Sequence, residues 1–187
     1  QAPRYSTQGK PGEEKWVWMK LKVISDVGII GLPNAGKSSF ITKCSRAKSK
    51  IGDYPFTTLE PHLGVAYIDD SELVLADIPG LIENAHLGAG LGHKFLKHIE
   101  RCKVLLHLID CTAKSYKSSY KCIRKEMMLY DQSLLKKPEL VVISKCDLLD
   151  QSDIKKKVDS LSQDLGKPVY ISSIDSDQTE ILRELKK

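Results

Sequence analysis

The sequence predicts an α/β domain built on a six-stranded, mostly parallel sheet with helices on both faces. Three observations predict it. Residues 27–30 form an apolar run that feeds Gly31-Leu32-Pro33-Asn34-Ala35-Gly36-Lys37-Ser38 and then Ser39-Phe40-Ile41, a strand, a glycine-containing loop and a helix in series. Strand-like and helix-like segments alternate along the rest of the chain. Residues 104–109 are an unbroken apolar run, the pattern of a strand buried on both faces.

The chain opens with a polar stretch, 1–14, rich in Pro and Gly, which reads as a linker. Residues 15–23 alternate: Val17, Met19, Leu21 and Val23 share one face of a predicted strand, and Lys20 and Lys22 share the other with Trp16 and Trp18. That pattern fits a seam with a preceding part or an amphipathic edge strand. After the first helix, Lys43, Arg46, Lys48 and Lys50 form a basic segment leading into a loop over 52–58. Residues 62–68 and 73–77 are predicted strands joined by a turn at Asp69-Asp70-Ser71, an antiparallel edge pair. Four glycines fall in the thirteen residues 80–92, predicting a second mobile loop, and Phe95, Leu96 and Ile99 then fit one helical face. Helices are predicted over 117–130, over 154–165 ending at Gly166, and around Ile181, Leu182 and Leu185. Short strands are predicted at 140–143 and 169–172.

At 187 residues the chain can bury one substantial core, and its 41% hydrophobic and 28% charged content is that of a folded globular protein. A net charge of +5 permits an acidic or nucleic-acid partner without requiring one. None of the five cysteines forms a C-x-x-C pair and the histidines lack zinc-ligand spacing, so buried free thiols in a reducing compartment and no structural metal are expected. No apolar run approaches the ~20 residues a membrane span needs, so the expectation is a cytoplasmic protein without membrane contact. The chain opens on Gln1 rather than Met and is read as a piece of something longer.

The loop 31–38 has the chemistry of anion capture. Gly31 and Gly36 allow a tight turn whose N–H groups converge on a phosphate, reinforced by the helix N-terminus. Lys37 can reach the outer phosphates of a nucleoside triphosphate, and the Ser38 hydroxyl can ligate Mg²⁺. Asp77-Ile78-Pro79-Gly80 lies 40 residues beyond Lys37 at a strand end, where Asp77 can hold the same ion through water and the Gly80 N–H can sense a γ-phosphate. Thr58 offers a further hydroxyl ligand. Ser144-Lys145-Cys146-Asp147 follows a predicted strand. The Asp147 carboxylate can accept from guanine N1–H and N2–H₂ together, whereas adenine would present a lone pair there. The Lys145 stem can cover the base, and Ser172-Ser173-Ile174 can offer a backbone N–H to guanine O6.

Taken together, these segments resemble the GTPase domain of the Obg family of translation-factor-class GTPases. The resemblance is carried by 26–38, by Phe56-Thr57-Thr58-Leu59-Glu60-Pro61, by 77–83, and by Gly88, Gly90-Leu91-Gly92 and 95–102. It implies a Ras-like P-loop GTPase fold over 23–187, preceded over 1–22 by a linker and the remnant of an Obg domain. It implies GTP and GDP as ligands, Mg²⁺ held by Ser38, Thr58 and Asp77, and catalysis by Lys37, Thr58 and Gly80. Nucleotide contacts are implied for Gly31 to Ser38, Phe56, Thr57, Thr58, Leu59, Glu60, Asp77, Ile78, Pro79, Gly80, Ser144, Lys145, Cys146, Asp147, Ser172, Ser173 and Ile174. As partners it implies the large ribosomal subunit and its rRNA, with the chain itself a monomer. A piece without the Obg domain is expected to bind nucleotide but to dock poorly. The basic segments Lys43–Lys50 and Lys155-Lys156-Lys157 fit rRNA contact or a solvated charged face.

Leu81 departs from the Ras-like pattern as in hydrophobic-substituted relatives, and Ser144 and, mildly, Ser173 (in place of the usual Ala) depart from the family's own. Leu81 stands where Ras-like proteins keep a water-orienting Gln, so catalysis must draw on Mg²⁺, Lys37 and a monovalent cation, with Asn34 resembling the P-loop asparagine that holds K⁺ in some relatives. Ser144 stands where the family has Asn, which predicts weaker guanine binding. Alternatives are a nucleotide-gated binding module with negligible hydrolysis, and an adenine-nucleotide enzyme of relaxed specificity.

Overall fold

In the computed structural model, residues 5, 8–17, 25–45, 50–51, 62–78 and 98–186 are described. Among the described residues, seven strands form one sheet: β1 (Ser25–Ile30), β2 (Lys50–Ile51), β3 (His62–Ile68), β4 (Ser71–Asp77), β5 (Cys102–Asp110), β6 (Glu139–Ser144) and β7 (Val169–Ile171). Their order is β2-β3-β4-β1-β5-β6-β7. Pairings among β4, β1, β5, β6 and β7 are parallel, and β2-β3 and β3-β4 are antiparallel. The strands predicted at 27–30, 62–68, 73–77, 104–109, 140–143 and 169–172 are present. The seventh, β2, is two residues beside β3, too short to carry a period in sequence.

Helices α1 (Lys37–Cys44), α2 (Tyr116–Tyr130), α3 (Gln151–Leu165) and α4 (Thr179–Lys186) cover the sheet. Strand alternation decides which helix goes where. Val27 and Ile29 of β1 and Leu106 and Leu108 of β5 point to one face, where Phe40 and Ile41 of α1 and Ile181, Leu182 and Leu185 of α4 pack on them. Ile30, Leu105, Ile109, Val141 and Ile143 point to the other, against Ile123 and Met127 of α2 and Leu161 of α3. Each face closes as a separate layer of apolar side chains.

The turns follow the sequence chemistry. Asp69 and Asp70 both adopt positive φ, 45° and 58°, as a two-residue turn between β3 and β4 requires. Gly166 at φ 62° ends α3, donating its N–H to the Ser162 carbonyl. One expectation is corrected over part of its length. Lys15, Trp16 and Val17 are in neither strand nor helix, and Trp16 is fully exposed, because nothing in the described fold pairs with this stretch. Residues 18–24, with the boundary expected at 22/23, lie outside the described residues.

Candidate functional site

The site forms where β1, β4, β5 and β6 end and the loops to their helices begin, the crevice in which open parallel sheets hold ligands. Between β1 and α1, the loop Gly31–Ser38 wraps back over the sheet. Gly31 is needed for close approach: a Cβ there would lie 2.6 Å from the Leu108 carbonyl oxygen. Gly36 sits at φ 91° and caps α1, so N–H groups at the helix start face outward. Lys37 is buried and its Nζ donates to the carbonyls of Gly31 and Leu32, both at 3.2 Å, arching over the loop it follows. Burial pushes its pKa down, partly offset by the nearby Asp77 carboxylate.

Ser38 and Asp77 meet at the phosphate end. Ser38 Oγ donates to Asp77 Oδ2 at 2.5 Å, joining α1 to the end of β4. The second oxygen, Asp77 Oδ1, is buried with no hydrogen-bond partner. A buried, unpaired carboxylate oxygen beside a hydroxyl is an oxygen donor set suited to a hard divalent cation. The residues therefore fit Mg²⁺. Among the described residues, Asn34, Lys37, Ser38, Asp77 and Lys145 line a cavity of about 440 Å³ at this point.

A second cavity, of about 260 Å³, adjoins it and shares Gly36, Ser39 and Lys145. Phe40, Leu108 and Ile174 contribute apolar lining, and Lys43, Ser144 and Asp147 polar lining. Ser144 Oγ lies 2.7 Å from the Ala35 carbonyl and 3.2 Å from that of Ile109, tying β6 to the phosphate loop. Lys145 adopts φ 60°, and its Nζ contacts Asp110 Oδ2 at 2.5 Å. Asp110 is a residue the sequence reading missed, although the end of a buried strand followed by Cys111-Thr112 was its signal. Burial raises its carboxyl, but hydrogen bonds from Lys145 and Thr112 outweigh this and hold it below its ordinary value.

Asp147 is exposed at the rim, with Oδ1 accepting from the Ile174 N–H at 3.3 Å. Of the other two amides in that loop, the Ser172 N–H donates to Ile143 at 2.8 Å and the Ser173 N–H to Ser176 Oγ at 2.9 Å. Cys146 is buried beneath, its thiol pushed up to about 12 by burial. All five cysteines are free, and Cys102, Cys111 and Cys146 are buried. The structure thus brings together Gly31 to Ser38, Asp77, Ser144, Lys145, Asp147, Ser172, Ser173 and Ile174, whereas the Ile78 and Cys146 side chains are buried in apolar clusters. Phe56, Thr57, Thr58, Leu59, Glu60, Pro79, Gly80 and Leu81 lie outside the described residues.

A family model described as a 50S ribosome-binding GTPase matches residues 26–145. The chain belongs to this family. Within it the chain is similar to GTPase Obg of Ehrlichia chaffeensis, 61% identical over 98% of this chain and 54% of that protein. GTPase Obg of Wolbachia pipientis wMel is 59% identical over the same shares. The resemblance to Obg GTPases is therefore borne out, over a chain that spans about half the length of the curated relatives it matches. Among solved structures, the G domain of the T. maritima FeoB iron transporter aligns with TM-score 0.64 at 21% identity, over 85% of this chain and 94% of that one. Aquifex aeolicus Era bound to GDP and AlF₄⁻ aligns with TM-score 0.66 at 24% identity, over 86% and 55%. These two bear out the Ras-like P-loop GTPase fold. Among the described residues, no helix of this family member is long and apolar enough to cross a membrane.

Proposed function

We propose that this chain is the nucleotide unit of an Obg-type switch, binding GTP and GDP with Mg²⁺ and hydrolysing GTP slowly. The observation that carries this reading is the pair of adjoining cavities, one ending on Lys37, Ser38 and Asp77 and the other rimmed by Asp147. The first suits phosphates. The second suits a base, apolar beneath and with one carboxylate at its edge to accept from guanine N1–H and N2–H₂.

Residues 23–187 form the switch domain, and 1–22 are the linker from a preceding Obg domain. Ser38, Thr58 and Asp77 hold Mg²⁺, which when bound neutralises charge on the phosphates. Lys37 holds the outer phosphates, the Gly80 N–H senses the γ-phosphate, and Asn34 at the cavity mouth recruits K⁺. Leu81 cannot orient water, so turnover is slow and suited to a state that a partner reads. In the longer protein that partner is the large ribosomal subunit with its rRNA, during assembly or stress, in the cytoplasm, with the switch itself a monomer.

Leu81 and Ser144 favour one second reading, a nucleotide-gated binding module that barely hydrolyses. Single-turnover hydrolysis with Mg²⁺ in K⁺ and in Na⁺ separates the two. The switch reading expects rates of about 10⁻⁴ to 10⁻² s⁻¹, by comparison with unassisted small GTPases, and faster in K⁺. No turnover leaves the binding module, and equal rates in the two salts remove the role of K⁺.

A further inference from the structure

The loop after β7 is held in place from the far side of the base cavity by one lysine. Lys43, in the last turn of α1, donates from Nζ to the carbonyl of Ser173 at 3.2 Å, to that of Ile174, and to that of Ser176 at 2.5 Å. An ammonium carries three N–H donors and no acceptor, so three converging carbonyls use all of them. At Ser172 the loop is anchored to Ile143 and Cys146, and beyond it most of its bonds are internal. Ser173 and Ser176 exchange side chain to backbone hydrogen bonds at 2.9 and 3.1 Å, and Gln178 Nε2 donates to the Ser173 and Ser176 carbonyls at 3.1 and 3.0 Å. Its tie across the cavity is the Ile174 N–H to Asp147 Oδ1. Lys43 and Asp147 therefore grip the same short segment, one through its carbonyls and the other through an amide. Both line the base cavity.

We propose that Lys43 is a positioning residue for base recognition. It fixes the backbone at 173–174 against the Asp147 carboxylate, so that the loop and the carboxylate meet the hydrogen-bonding edge of the base at a set distance. The inference rests on the guanine-nucleotide reading of the site. The eight residues of α1 then serve both halves of the ligand, with Lys37 and Ser38 at the phosphate end and Lys43 under the base-reading loop. A residue that acts only through this loop changes how long the base is held and leaves phosphate capture alone.

The test uses the full chain with Lys43→Met, which keeps the stem and removes the donors, and Lys43→Arg, which restores charge and donors. Amide hydrogen exchange without nucleotide and the dissociation rate of fluorescent GDP are read on each. Lys43→Met is expected to speed exchange over 172–178 while leaving 31–38 unchanged, and to raise the GDP dissociation rate about five- to tenfold, the scale of a lost hydrogen bond or two. Lys43→Arg is expected to return that rate to within about twofold of the starting chain. An unchanged dissociation rate, or exchange that rises equally through 31–44, overturns the proposal. If the unaltered chain binds no GDP, the guanine reading fails, while exchange over 172–178 still reports whether Lys43 holds the loop.

Discussion

Ser144 Oγ lies 2.7 Å from the Ala35 carbonyl oxygen, a bond between residues 109 positions apart that fastens the base-reading corner to the phosphate loop. The Ile109 carbonyl also faces this hydroxyl, at 3.2 Å. A hydroxyl has one proton, and two backbone carbonyls compete for it here. Serine thus keeps the structural tie and leaves no donor for the nucleotide.

Replacing Ser144 with Asn supplies two N–H donors, enough for the tie and for the base. Ser144→Asn is expected to tighten GDP binding about tenfold, from about 1 to 1.5 kcal/mol of added hydrogen bonding. Equilibrium titration with GDP checks this. Unchanged affinity would mean that a neighbouring group such as Ser173 already compensates.

Asp77 presents one oxygen to Ser38 and one buried oxygen to nothing. If that oxygen serves Mg²⁺, Asp77→Asn removes the charge and turns one of the two acceptor oxygens into an NH₂ donor. Affinity for a non-hydrolysable GTP analogue should then respond about tenfold less to chelation of Mg²⁺ than it does in the starting chain. The fold should persist, since an amide oxygen at this position can still accept from Ser38. An equal response to chelator in both proteins would place the ion elsewhere.

Glu139 anchors a polar cluster on the α2 and α3 side of the sheet. Its carboxylate contacts His107 Nδ1 at 2.9 Å, Tyr120 Oη at 3.1 Å, Arg124 Nη1 at 3.3 Å and Lys167 Nζ at 2.7 Å. Burial alone would raise its pKa, but His107 and Lys167 outweigh burial and hold it at about 2. A carboxyl depressed from its ordinary 4.5 stabilises the fold above that pH, and the contribution disappears as pH falls from 4.5 through about 2. Denaturant titrations of the starting chain and Glu139→Gln should differ by on the order of 3 kcal/mol near neutrality and converge at the acid end. A difference that does not change with pH would remove the charge from this account.

The phosphate half of the site was legible because its residues are contiguous. Loop 31–38 needs glycine at 31, where a Cβ would lie 2.6 Å from the Leu108 carbonyl oxygen, and that requirement is visible as a pattern. The sheet was legible for the same reason, since the apolar runs at 27–30 and 104–109 leave few other structures available. Lys43 was not legible. A lysine at the end of a helix reads as a solvated charge or a nucleic-acid contact, and only the fold brings carbonyls from 130 residues away to meet it. Asp110 and Glu139 were hidden likewise, because each takes its role from a cation on another strand or loop. Lys15 to Val17 misled in the opposite sense: an alternating pattern makes a strand only where a partner edge exists.

We infer that Asp147 selects guanine beside Ser144, whose hydroxyl is taken up by backbone carbonyls. Equilibrium binding of GDP against ADP to this chain, both with Mg²⁺, tests it most directly. The account predicts a strong preference for GDP, because adenine N1 would face the carboxylate lone pairs. Equal affinities for GDP and ADP would contradict it.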